Sequence, residues 1–160
     1  MDCVFNQFIP KSQGDLLVIR PATKTFVNGM AEAYSFEDYD IKLLEWNLSK
    51  RDYESMIERI NNSIWSEYPC PGCQLFAYFC CLCTAGLSCV IPLLQVRQAM
   101  IRLQREIERV NQALLPRRMM LKHVCENSTS YILLYLPNHS IWQADPNINE
   151  SGALKGSTKA

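Results

Sequence analysis

Six of the eight cysteines, Cys70, Cys73, Cys80, Cys81, Cys83 and Cys89, fall within one run, Tyr68 to Val96, YPCPGCQLFAYFCCLCTAGLSCVIPLLQV. Thiols at this density offer three chemistries. The pairs Cys70-x-x-Cys73 and Cys80-x-x-Cys83 have the spacing of zinc knuckles. Their connector, Gln74 to Phe79, is nearly all apolar and shorter than ribbon-type sites use. Thiol redox chemistry at Cys70-Pro71-Gly72-Cys73 would need the pair at a helix start after a strand, in a βαβ unit that lowers a thiol pKa. Here an amphipathic helix precedes the pair and an apolar run follows it. The third chemistry is S-acylation, which modifies cysteines beside an apolar segment at a bilayer surface. It is the leading reading for all six residues. A buried apolar helix that uses cysteine as a small hydrophobe is the structural alternative.

The run itself bears on that choice. It holds no charged residue, with Glu67 before it and Arg97 after it. Roughly 20 apolar residues suffice to cross a bilayer as a helix. Pro69, Pro71, Gly72, Gly86 and Pro92 punctuate this one, leaving Gln74 to Ile91 as the uninterrupted helical part, short for a span. The segment is therefore expected to contact a membrane by dipping into one leaflet, with spanning the other possibility. From Arg97 to Lys122 there are seven basic and two acidic residues, net +5. Basic residues beside a membrane segment favour the anionic cytosolic leaflet.

The elements around the run must position it. At 160 residues and a formal net charge of zero, the chain reads as one domain with no overall pull toward nucleic acid. A disulfide framework would spread its cysteines through polar loops, unlike this cluster. The first residues, MDCVFNQFIPKSQGD, lack a basic stretch leading into an apolar one, so no signal peptide is expected and the sequons at Asn47, Asn61, Asn127 and Asn138 read as chance.

Residues 1–14 read as a flexible N-terminus. Asp15 to Arg20 reads as a strand. Thr25 to Val27, the turn signal Asn28-Gly29 and Ala31 to Phe36 follow as extended chain. Glu37 to Asp40 is an acidic turn, and Ile41 to Leu48 carries no assignable pattern. Ser49 can cap a helix over Lys50 to Ser66, whose apolar face is Tyr53, Met56, Ile57, Ile60 and Ile64. A second amphipathic helix is expected from Arg97 to Leu115, with Met100, Leu103, Ile107, Val110 and Leu114 on one face. That stripe must face the sheet or another protein, and is the candidate partner-binding surface. Strands near Met119 to Cys125 and Ser130 to Leu136 flank a hairpin loop. Residues 143–160 read as a disordered tail. The fold class is α+β, a single domain over 15–142 in which a small antiparallel sheet packs on two amphipathic helices around the membrane-contacting segment 68–96.

The helix sequence RDYESMIERINNSI, the string CCLCTAGLSCVIPLL, the basic helix and the strand YILLYLP before Ile141-Trp142 together resemble the CHIC (cysteine-rich hydrophobic domain) proteins. They are more distantly similar to accessory subunits of the golgin subfamily A member 7 type. The likeness covers residues 25–145 or so. It implies an S-palmitoylated protein peripheral to the cytosolic face of the plasma membrane, Golgi or vesicles. For the golgin-type relatives it also implies a non-catalytic partner of a DHHC palmitoyltransferase, acylated at a C-x-x-C pair that Cys70 and Cys73 match. The chain lacks the acidic N-terminal extension of the CHIC proteins, and its string is less dense in cysteine.

Catalysis finds no footing in the sequence. There is no Gly-rich phosphate loop, no G-x-S-x-G, no H-E-x-x-H and no DHHC motif, and His123 and His139 stand apart. The chain is expected not to be an enzyme and to need no cofactor or metal. The leading expectation is an accessory subunit of a DHHC acyltransferase. The alternatives are a palmitoylated trafficking adaptor and a small zinc or thiol-redox protein.

Overall fold

A computed structural model describes residues 9–23, 26–68, 72, 75, 79–80, 90–126 and 128–144. In chain order these form β1 (Leu16–Ile19), β2 (Phe26–Val27), β3 (Met30–Ala31), a 3-10 helix (Ile41–Trp46), α1 (Lys50–Trp65), α2 (Val90–Leu114), a 3-10 turn (Leu115–Arg117), β4 (Met120–Glu126), β5 (Thr129–Tyr135) and α3 (Ile141–Ala144). The architecture is the expected α+β arrangement of a small antiparallel sheet with helices.

Each helix starts for a local reason. Ser49 is extended, and its hydroxyl accepts a hydrogen bond from the Asp52 N–H at 3.1 Å, capping α1. The buried face of α1 is Tyr53, Met56, Ile57, Ile60 and Ile64, as the periodicity predicts. The segment Ile41–Trp46 becomes helical because Asp40 caps it through the Lys42 N–H, and Asn47, in the left-handed region at φ 57°, ends it.

α2 departs from the sequence reading. It begins at Val90 rather than Arg97 and includes Pro92 as its third residue. The first four N–H groups of a helix have no partner within it, so a proline there forfeits no hydrogen bond. Pro92 therefore sits in the first turn of Val90–Leu114 without interrupting it.

The main sheet has the order β1–β5–β4, all antiparallel. β4 and β5 form a hairpin from Met120↔Tyr135 to Glu126↔Thr129, and β1 joins the other edge of β5 from Leu16↔Tyr135 to Ile19↔Ile132. Being central, β5 is buried along almost its whole length. β2 and β3 form a separate hairpin whose turn, Asn28-Gly29, takes positive φ at both residues, as a two-residue turn of this kind requires. Gly29 is also needed for space. A Cβ there would lie 3.1 Å from Cys125 Sγ and 3.3 Å from Ser128 Cα, so this turn sits against the β4–β5 turn.

Polar side chains stitch these pieces together. Ser130 Oγ accepts from the Ala31 N–H at 2.8 Å and from the Tyr34 hydroxyl at 3.0 Å, joining β5 to β3. Each long helix also presents an asparagine amide to outlying backbone. Asn61 accepts from the Tyr34 N–H and donates to its carbonyl, at 2.8 and 3.0 Å. Asn111 treats Leu121 in the same way, at 2.7 and 3.0 Å, and so occupies backbone groups on the outer edge of β4. Backbone groups buried without such partners would each cost about 1–3 kcal/mol.

The principal core lies between the helices and one sheet face, and contains Ile19, Tyr34, Tyr53, Ile57, Ile60, Leu103, Ile107, Leu121 and Ile132 among others. A smaller cluster on the opposite face comprises Ile9, Val18 and Tyr131 with Val124 and Leu133. Its presence corrects the expected start of the domain at residue 15. Ile9 is buried, Gln13 bridges to Leu16, and the Ser12 hydroxyl accepts from the Val18 N–H at 3.0 Å. At the other end Trp142 Nε1 donates to the Leu136 carbonyl at 3.0 Å. The remainder of the predicted tail, residues 145–160, lies outside the described residues.

His123, on the core side of β4, stands edge-on to Tyr34 with ring centroids 6.2 Å apart. Its Nε2 is covered and has no hydrogen-bond partner among the described residues, and burial pushes its pKa from 6.5 down to about 4. The folded protein thus holds this imidazole neutral where the unfolded chain would protonate it. Stability from this source is fully present above pH 6.5 and falls as pH drops toward 4, by about 3 kcal/mol in all. His123→Leu should flatten that portion of the curve. Urea midpoints between neutral pH and pH 4 test it, and parallel profiles for the two proteins would refute the assignment.

Candidate functional site

The candidate site is the cysteine-rich segment together with the helix ends that hold it. α1 and α2 pack side by side and run in opposite directions. Asp52 and Met56 share a groove with Val110 and Leu114, Arg59 reaches Glu106, and Glu67 reaches Arg102. Chain leaving α1 after Tyr68 therefore returns into α2 at the same end of the pair. The excursion starts and finishes on one side of the domain.

Three contacts fix that exit. Arg102 Nη2 meets Glu67 Oε1 at 2.6 Å, and its Nη1 donates to the Ser66 hydroxyl at 3.1 Å. The Tyr68 hydroxyl donates to the Met30 carbonyl at 3.4 Å, and burial raises its pKa. Deeper in the pair, Glu106 accepts from Arg59 Nε and Nη2 at 3.0 and 2.6 Å and from Arg109 Nη1 at 3.0 Å. Glu106 is only 9 % exposed, so two arginines on one carboxylate supply the pairing that such burial demands. Its register locks α1 to α2 and so sets where the segment emerges.

Of the predicted acylation residues, Cys70, Cys73, Cys81, Cys83 and Cys89 lie outside the described residues. Cys80 is described, helical and half-buried; Gly72, Leu75 and Phe79 are also described and helical, and all three are exposed. Leu75 and Phe79 are strongly exposed, as is Trp65 on the last turn of α1. Among the described residues no helix is long and apolar enough to cross a membrane, and no group of three or more His, Cys, Asp or Glu could hold a metal ion.

The predicted partner stripe requires correction. Leu103, Ile107, Val110 and Leu114 are buried in the principal core, and Met100 is half-buried against it. The stripe is covered by the chain's own α1 and sheet, so it is not a surface for another protein. What sequence reasoning missed is a second apolar face on α2. Val90, Leu93, Leu94 and Ile101 are 45–52 % exposed, while Val96 and Ala99 between them are buried. The signal was present as a 4–3–4 spacing through Val90, Leu94, Arg97 and Ile101, hidden by ending one helical part at Ile91 and starting the next at Arg97.

Level with Glu67, α2 has already run twelve residues from Val90 to Arg102, about 18 Å of helix. This stretch carries Arg97, and Arg105 follows about one turn past its end, neither with an ion-pair partner among the described residues. At the far end of the helix pair, Leu48, Asp52, Met56, Arg59, Val110 and Arg117 line an open groove of about 240 Å³. Comparison with protein families, with curated proteins and with solved structures finds no match to this chain.

Proposed function

We propose that this chain is a membrane-peripheral, S-palmitoylated, non-catalytic accessory subunit of a DHHC protein S-acyltransferase, on the cytosolic face of the plasma membrane, Golgi or vesicles. The observation that carries the reading is the helix pair that sends the cysteine-rich segment out and takes it back at one end of an α+β domain. Such a frame keeps both flanks of the segment on one side of a bilayer while the cysteines reach its surface. The domain that remains is free to hold an enzyme's cytosolic segments. The resemblance to CHIC and golgin-type accessory proteins supplies the enzyme class and singles out Cys70 and Cys73. Because Leu103, Ile107, Val110 and Leu114 are core, the enzyme is met by other residues of the domain.

Affinity purification of the full chain from membranes in mild detergent, followed by mass spectrometry, tests the proposal. A DHHC acyltransferase should co-purify, and hydroxylamine should release thioester-linked lipid from the chain. Lipid without the enzyme would replace this reading with a trafficking adaptor. Zinc in the purified protein without lipid would replace it with a metal-binding one.

A further inference from the structure

We infer that the outer face of α2 from Val90 to Arg105 lies in the plane of an anionic membrane surface, with Val90, Leu94 and Ile101 entering the headgroup boundary and Arg97 and Arg105 against lipid phosphates. The inference rests on the reading that the neighbouring cysteine-rich segment contacts a membrane, and it specifies how the folded domain meets the same bilayer.

The geometry comes first. At about 100° per residue, Val90, Leu94, Arg97, Ile101 and Arg105 fall within an arc of about 80° on α2. That arc faces away from Val96, Ala99, Leu103 and Ile107, which are buried. The helix is therefore apolar on two sides, and its own domain covers one of them. Aliphatic residues interleaved with arginines on an exposed helical face suit a helix that lies at a lipid–water boundary.

Charge selects the occupant. From Tyr68 to Arg105 there are three basic residues and no acidic one. The acidic residues that bound this stretch are both occupied: Glu67 pairs with Arg102, and Glu106 with Arg59 and Arg109. The one carboxylate on the same arc, Glu108, follows about one turn after Arg105, beyond the proposed stretch, and Arg97 and Arg105 have no ion pair among the described residues. Each such residue near an anionic leaflet contributes about 1 kcal/mol. Continuity in sequence points the same way, because the stripe begins at Val90, next to Cys89 and inside the uncharged run.

Full-length chain made in bacteria, and so unacylated, should sediment with vesicles of phosphatidylcholine plus phosphatidylserine, and weakly with phosphatidylcholine alone. Arg97→Gln with Arg105→Gln should weaken binding to the anionic vesicles roughly thirtyfold. Arg97→Lys with Arg105→Lys should restore most of it, since charge is the requirement. Leu94→Asn with Ile101→Asn should weaken binding while circular dichroism stays unchanged, because both residues are exposed. Equal binding to the two vesicle types, or no effect of either double variant, would overturn the inference.

The same chains expressed in cells separate this inference from the reading beneath it. Thioester-linked lipid and a co-purifying acyltransferase, with no vesicle binding by the bare chain, would leave the accessory role standing and refute the docking face. Charge-dependent vesicle binding without lipid or enzyme would support the face and refute the role. If Leu94→Asn with Ile101→Asn loses the enzyme yet binds vesicles normally, the face is a protein interface and the inference fails.

Discussion

Leu103→Glu is expected to leave the purified chain without a cooperative unfolding transition. Leu103 is completely buried between the helices and the sheet. Shortening such a residue to alanine alone costs about 2–5 kcal/mol. An unpaired carboxylate adds a desolvation penalty of several kcal/mol, against a total stability of about 5–15 kcal/mol for a domain. The two arginines that could compensate a buried acid on this helix pair, Arg59 and Arg109, already serve Glu106. Ile101→Glu, two residues earlier and on the exposed side, should fold normally. Circular dichroism with urea titration compares them. A folded Leu103→Glu chain would show that the stripe is accessible and return it to candidacy as a partner surface.

The second large effect concerns the anchor. On the proposed reading, Cys70→Ser with Cys73→Ser should move much of the protein from the membrane to the soluble fraction and remove most hydroxylamine-releasable lipid. Each buried methylene of an acyl chain contributes about 0.8 kcal/mol, and firm attachment takes two signals. Without the acyl chains, the α2 face would be one weak signal by itself. The substitutions should leave folding intact, because the contacts that hold the segment's flanks come from Ser66, Glu67, Tyr68 and Arg102. Subcellular fractionation beside lipid release decides the matter. Retention of both lipid and membrane binding would remove these two cysteines from the site and shift it to Cys80, Cys81, Cys83 and Cys89.

Much of this domain could be read from short stretches, because the interactions concerned are local. The cap at Ser49 and the apolar face of α1 depend on residues three and four apart. The Asn28-Gly29 turn and the β4–β5 hairpin likewise join neighbours in sequence. The order of strands, then the two helices, then a hairpin implied α+β without further information.

Tertiary structure decided the rest, where the partners are far apart or a local signal points two ways. Nothing near Leu16 says that β1 will lie beside β5, more than a hundred residues later. Asn61 and Asn111 look like ordinary helix-surface asparagines until Tyr34 and Leu121 arrive with unpaired backbone. Pro92 is a breaker inside a helix and a harmless opener at its start, and only the fold showed where α2 begins. The exposed face of α2 was overlooked for the same reason. An apolar stripe records that residues avoid water, and the spacing cannot say which of two stripes the domain will cover. The antiparallel seat of α1, set by Arg59, Glu106, Arg102 and Glu67, made that choice by burying Leu103 and leaving Leu94 and Ile101 outside.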